Sequence, residues 1–202
     1  MKTRVAMELL LAAWLAAGCA GIGSARSAPV LTSDAAGFAI TEKARASGSA
    51  RTDFASAVRS LEQKDYASAI AQLGEVTKAA PDATAAYIDL AIAYRETNDL
   101  ARAEESLKKA VALNPRHPVA LNELGIVYRR LGRFADARAS YEQALAIYPG
   151  FHFARRNLGI LCDLYLGDAG CALEQYQLYL QSVPGDGDVA MWVGDLRQRA
   201  GK

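Results

Sequence analysis

Histidine and cysteine are scarce in this chain: two and three residues in 202. That is a poor stock for a metal centre, which needs three or four clustered imidazole, thiolate or carboxylate ligands. Active-site motifs are missing as well. There is no Gly-x-Ser-x-Gly and no glycine-rich loop opening a helix to hold phosphate, so hydrolase and nucleotide chemistry find no support. Charge of one sign is also lacking. With 23 basic and 22 acidic residues the formal net charge is +1. This leaves no electrostatic footprint for nucleic acid or for an anionic membrane surface. Long apolar runs are absent too: Leu9 to Leu15 falls well short of the roughly 20 residues needed to span a bilayer.

What the chain does have is periodicity. Leu90-Ala91, Tyr94, Ala103, Leu107, Ala110 and Pro115 are echoed by Leu124-Gly125, Tyr128, Ala137, Tyr141, Ala144 and Pro149, 34 residues on. The echo continues at Leu158-Gly159 and Cys162, then resumes one residue late as Ala172, Tyr176, Tyr179 and Pro184. Leu124, Gly125 and Tyr128 share one face of a first helix, and Ala137, Tyr141 and Ala144 one face of a second. Gly125 and Ala137 are small where the two helices approach, Gly132-Arg133 makes the turn, and Pro149 ends the second helix.

This pattern resembles the tetratricopeptide repeat. The resemblance implies an all-α fold of about four stacked helical hairpins, curved into a right-handed solenoid, with first helices lining a concave groove. Four units are expected: 50–83, 84–117, 118–151 and 152–186. The first is degenerate in its first helix, where Asp53, Ser56 and Ser60 replace the signature residues while Phe54, Ala57, Val58 and Leu61 form a stripe of their own. The fourth carries one extra residue around Gly167 to Gly170. Residues 187–202, striped by Val189, Trp192, Val193 and Leu196, are expected to form a capping helix started by Asp186 or Asp188.

Residues 1–18 have the layout of an export signal, with Lys2 and Arg4 ahead of a short apolar core interrupted on its near side by Glu8. Leu15-Ala16-Ala17-Gly18-Cys19 resembles the lipobox of bacterial lipoproteins. The resemblance implies cleavage before Cys19 and lipid attachment to it; plain cleavage with Cys19 incidental is the other reading. Loss of that segment leaves as many basic as acidic residues. Ala20, where aspartate would favour inner-membrane retention, implies an outer-membrane, periplasm-facing location. Residues 19–49, rich in Ala, Gly and Ser, are expected to be a flexible tether, with at most a short helix near Glu42.

The 34-residue register projects Ile88, Ile92 and Arg95, then Asn122, Ile126 and Arg129, then Arg156, Ile160 and Asp163 onto the groove. An isoleucine floor with arginine rims suits an extended or helical peptide, unless the isoleucines serve only to pack adjacent first helices. Repeats that clamp a C-terminal carboxylate have Asn where Ile92 and Ile126 stand, which argues against that clamp. Arg102, Glu104, Glu105, Lys108 and Lys109 form a charge run on a solvated convex face, with favourable Glu104–Lys108 and Glu105–Lys109 pairs. His117 and His152 fall in loops nearly one period apart and lack a third ligand. Cys162 and Cys171 flank the turn of the fourth hairpin, placed either for a disulfide or as two buried thiols.

The expectation is a non-enzymatic outer-membrane lipoprotein that scaffolds a periplasmic assembly, without catalytic residue, metal, cofactor or nucleic acid. Its partners would be another protein, or a peptide segment, and the membrane through its lipid. Lipoproteins of this kind resemble accessory proteins of type IV or Flp pilus assembly. A factor serving cell-wall synthesis or division enzymes is the alternative, and a metal-dependent or catalytic domain a more distant one.

Overall fold

A computed structural model describes residues 30–34, 37–41 and 47–201. Nine α-helices occur among them: α1 (Gly48–Glu62), α2 (Tyr66–Ala79), α3 (Thr84–Glu96), α4 (Leu100–Leu113), α5 (Pro118–Arg130), α6 (Phe134–Ile147), α7 (His152–Leu161), α8 (Ala169–Ser182) and α9 (Gly187–Ala200). None is long and apolar enough to cross a membrane. The helices pair as α1–α2, α3–α4, α5–α6 and α7–α8, each pair packs on the next, and α9 lies on α8. The all-α solenoid of four hairpins and a final helix is thus observed.

One correction concerns the expected tether. Val30–Asp34 (β1) and Gly37–Thr41 (β2) form an antiparallel hairpin with Val30 opposite Thr41 and Asp34 opposite Gly37. Val-Leu-Thr and Phe-Ala-Ile-Thr are strand-forming sequences, and the surrounding Gly, Ser and Ala conceal them in any average over the segment. Cys19 and Glu42 lie outside the described residues.

Each hairpin closes on one small–large contact. Ala57 faces the slot of Leu73, Ala91 that of Leu107, Gly125 that of Tyr141 and Gly159 that of Tyr176; the six non-glycine residues are buried. A Cβ on Gly125 would stand 2.5 Å from a Tyr141 ring carbon, and one on Gly159 would stand 2.5 Å from Tyr176. The pairing is complementary along the stack: alanine meets leucine, and glycine meets tyrosine. Interiors packed to crystal density leave no slack for any other pairing.

The turns inside hairpins repeat as faithfully. Lys64, Asn98, Gly132 and Gly167 all adopt a left-handed conformation, with φ of 59°, 64°, 75° and 65°. In the first three, the residue after it returns its amide to a carbonyl five back: Asp65 to Ser60, Asp99 to Tyr94 and Arg133 to Tyr128, at 2.8–2.9 Å. This is the wider bond of a Schellman-type helix stop. Asp65, Asp99 and Asp168 then cap the following helix through their carboxylates, while Arg133 has no such side-chain bond.

The fourth hairpin accommodates its extra residue upstream of the expected place. α7 widens into one π-helical turn, Cys162–Leu166, before Gly167, and the Asp168 amide reaches six residues back to the Cys162 carbonyl at 2.9 Å. Beyond it, Asp186 caps α9, accepting from the Val189 amide at 3.1 Å. In register, Val193-Gly194 of α9 matches Leu158-Gly159 of α7, so α9 is a first helix. A Cβ on Gly194 would meet nothing, because no second helix packs there among the described residues.

Candidate partner-binding face

The first helices α3, α5 and α7 bring the projected residues onto neighbouring turns, but not at one depth. Ile88 and Asn122 are buried. Ile88 belongs to a cluster with Ala110 and Ala120, whose small side chains let it sink between repeats. It is core, which corrects its assignment to the groove floor. Ile92, Ile126 and Ile160 remain partly exposed while leaning on the core. Both readings of the stripe therefore apply at once: each isoleucine packs its inner carbons and shows the rest.

The residues that order this face are mostly those one position further along each helix. Asp89, Glu123 and Asn157 share that register. The Asn157 amide donates to Asn122 Oδ1 at 2.9 Å, the Asn122 amide donates to Glu123 Oε1 at 3.3 Å, and Glu123 Oε2 lies 3.2 Å from Arg95 Nε. Arg95 also pairs with Glu96 at 2.6 Å. A polar ladder thus crosses from α3 through α5 to α7. Sequence reading passed over these three positions because a charged residue on a helix usually faces water; their common 34-residue register was the available clue.

Burial holds the Glu123 carboxyl above the usual range despite Arg95 beside it. Asp89 is pushed up to about 6, first by desolvation and then by the neighbouring Glu123 charge. No cation stands within ion-pair distance of Asp89 among the described residues. A largely desolvated carboxylate without a counter-charge is costly. A cation brought to it would relieve that cost.

The expected arginine rim divides. Arg95 is spent on Glu96 and Glu123. Arg129 turns to the next hairpin, donating to the Tyr165 hydroxyl at 3.2 Å with its guanidinium 5.5 Å from that ring's centre. It also faces Tyr141, whose hydroxyl burial pushes up to about 12 against the opposing pull of Arg129. Arg156 stacks over Trp192 of α9 at 5.4 Å, and Asp163 pairs with Arg199 of α9 at 2.9 Å. The last helix therefore extends the face with Met191 and Trp192; the sequence reading gave Trp192 to the packing stripe of a capping helix and gave α9 no part in the groove.

Elsewhere, Glu104 and Lys108 pair at 2.6 Å on the solvated side, and Glu104 also holds Arg133 at 2.9 Å. His117 caps α5, its Nδ1 accepting from the Ala120 amide at 3.3 Å, and His152 stacks on Phe153 at 4.2 Å. Cys162 and Cys171 are joined in a disulfide, with Cα atoms 5.9 Å apart. Among the described residues, the one trio of ligand-type groups gathered closely is Cys162, Asp168 and Cys171. Its two sulfurs are bonded to each other and its carboxylate caps α8, so it offers no free ligand set.

Comparison with known proteins agrees with this architecture. TTC0263, a thermophilic tetratricopeptide protein of Thermus thermophilus, is 26% identical with a TM-score of 0.64, over 74% of this chain and 81% of that one. The pilF protein of Pseudomonas aeruginosa is 21% identical with a TM-score of 0.69, over 75% and 68%. The first repeat domain of Spaghetti (RPAP3), solved with the HSP90 peptide SRMEEVD, is 24% identical with a TM-score of 0.55, over 56% and 90%. Among curated proteins, no sequence matches. The family model for the tetratricopeptide repeat matches residues 54–118, 88–152 and 122–187, more than half of the length, and the chain belongs to that family.

Proposed function

We propose that this protein is a non-enzymatic scaffold that holds a segment of a partner protein along the concave face of α3, α5, α7 and α9. The observation behind this reading is Asp89, a largely desolvated carboxyl without an ion-pair partner among the described residues, set beside the partly exposed stripe Ile92, Ile126 and Ile160. A segment that lays an apolar side chain on the stripe and a lysine or arginine against Asp89 would bury apolar surface and relieve that carboxylate together. A repeat domain of the same fold solved with a bound peptide supports the general idea that such a fold can hold a segment of another protein.

The lipobox-like Leu15 to Cys19 supports a lipid anchor, and Ala20 after it an outer-membrane, periplasm-facing location. Repeat and lipobox together resemble accessory proteins of pilus or secretion-complex assembly, which is the process favoured here. Binding to cell-wall synthesis or division enzymes is the alternative on the same face. Capture of partners from crosslinked cells tests the proposal. Ile126→Glu and Asp89→Lys should each lower recovery about tenfold or more, since the first puts a charge where an apolar anchor should dock and the second puts a positive charge where the partner's cation should dock. The convex variant Lys108→Glu should leave recovery unchanged. Ile126 also touches the core, so melting temperature is read alongside. Full recovery with folded Ile126→Glu and Asp89→Lys, or loss with Lys108→Glu alone, would move the binding surface elsewhere.

A further inference from the structure

The inner turns of the hairpins line one edge of the solenoid, and their character changes along it. The first two carry Gln63-Lys64 and Thr97-Asn98; the third carries Leu131-Gly132, and the fourth Leu164-Tyr165-Leu166-Gly167. Leu131 is 40% exposed, Leu164 69%, Tyr165 42% and Leu166 38%. Leu131 and Leu166 each precede the left-handed glycine of their turn, and Tyr165 packs on Phe134 of the third hairpin at 5.0 Å between ring centres, so the two turns present their apolar side chains along one edge. Nothing in the groove reading uses it.

Three further features converge there. The extra residue of the fourth hairpin is what creates the π-helical turn bearing the three apolar residues in succession, and such turns concentrate at functional sites. The Cys162–Cys171 disulfide ties the start of that turn to α8, fixing its orientation. Two guanidinium groups flank it without a carboxylate partner among the described residues. Arg129 donates to the Tyr165 hydroxyl, and Arg130 donates to the Arg95 carbonyl at 2.7 Å and to Asn98 at 2.9 Å. The nearby acids are already engaged: Asp163 with Arg199, Asp136 with Arg133, and Asp168 at 3.7 Å from Arg138. The edge thus keeps uncompensated positive charge, which a near-zero net charge for the whole chain conceals.

We propose that this edge docks on an anionic phospholipid surface, with Leu131, Leu164 and Leu166 entering the interfacial layer and Arg129 and Arg130 meeting lipid phosphates. A convex tip of leucines, a tyrosine at the water boundary and flanking arginines is the composition of an interfacial anchor. A peptide-binding surface would instead be recessed. The inference goes beyond the groove and does not require lipid on Cys19. Its effect would be orientation: with this edge down, the concave face stands upright from the membrane.

The test uses the full chain, so that any attachment by its N-terminus is common to all variants. Leu164→Trp, and Glu105→Trp as an exposed convex reference, are mixed with phosphatidylcholine vesicles containing about 30% phosphatidylglycerol and brominated acyl chains, after subtracting the parent chain's fluorescence. The indole introduced at 164 should lose about half of its emission and the one at 105 less than about a tenth. Adding Arg129→Gln and Arg130→Gln, or removing phosphatidylglycerol, should bring the first down to the second, with circular dichroism confirming the fold. Equal quenching at 164 and 105, or quenching at 164 that ignores both arginines and lipid charge, would overturn the proposal. So would an unquenched 164 whose Leu164→Asp change lowers crosslinking to a partner protein, which would make this edge a protein interface.

Discussion

The hairpins α5–α6 and α7–α8 share one plan and differ by one residue. Both pack a tyrosine against a glycine, Tyr141 on Gly125 and Tyr176 on Gly159, at the same depth. Their turns diverge. The third closes with Leu131 and Gly132 and returns its amide five residues back, whereas the fourth inserts a π-helical turn, returns its amide six back and is stapled by a disulfide. The comparison teaches where this fold tolerates change. A residue added between the helices leaves the packed slots in register and appears as new surface at the edge. A single Cβ added inside the hairpin has nowhere to go.

Removing the ring should break the two hairpins alike. Tyr141→Ala and Tyr176→Ala should each cost about 3–5 kcal/mol in urea denaturation, the transfer and cavity terms of a fully buried aromatic together. A difference above about 2 kcal/mol between them would show that the staple had changed the packing as well as the turn.

Adding a methyl group should sharpen the point. Gly125→Ala is expected to cost about 1–3 kcal/mol by overpacking. Tyr141→Leu should recover most of that loss in the double variant, because Ala91 with Leu107 is the same solution in the second hairpin. Additive losses would refute the small–large rule.

Reduction should separate the hairpins. Closing a loop between residues separated by 9 in sequence contributes about 2–3 kcal/mol on chain-entropy grounds. Dithiothreitol should therefore lower the melting temperature of the wild type and leave that of Cys162→Ala with Cys171→Ala unchanged. Because each repeat touches only its neighbours, hydrogen exchange should accelerate in α7–α9 and stay constant in α3 and α4. Two free thiols in the protein as isolated, counted by alkylation, would contradict the bond itself.

A smaller effect concerns the groove carboxyl. Asp89 has a folded pKa raised from 3.8 to about 6, so the folded state binds its proton more tightly than the unfolded state does. Stability from this source is greatest below about pH 4, and it falls as pH rises to about 6 and beyond. Asp89→Asn should flatten that window and stabilise the protein near neutrality by about 2 kcal/mol. A pH dependence identical in wild type and variant would mean the carboxyl is better solvated than its surroundings suggest.

The smallest expected difference lies at the caps. Asp168→Ala should cost about 1 kcal/mol by uncapping α8. Arg133→Ala, at the matching position of α6, removes no cap. It does remove surface ion pairs and the contact of its guanidinium over the Tyr128 ring at 4.2 Å, and should cost that much or less.

Much of the fold was legible because tetratricopeptide packing is local: Gly125, Tyr141, Ala137 and Pro149 recur at a fixed interval, and the interval carries the architecture. The extra residue was legible only as a gap between Cys162 and Ala172. Periodicity counts residues, and the hydrogen bonds decide which of them widens the helix. Ile88 was misplaced because its depth is set by Ala110 and Ala120 in other helices, not by its own register. Asp89, Glu123 and Asn157 were missed for the opposite reason, since their polarity implied solvent while the neighbouring first helices enclosed them. The hairpin of residues 30–41 was lost in the average composition around it.

The central claim, that the concave face holds a partner segment, is tested most directly by photo-crosslinking in cells. A benzophenone amino acid is placed at Ile92, Ile126 or Ile160, and at Lys108 or Glu142 on the outer helices. The account predicts one shared adduct from the three concave positions, weakened by Asp89→Lys, and no such adduct from the outer two. Adducts from Lys108 or Glu142 with none from the isoleucines would contradict it.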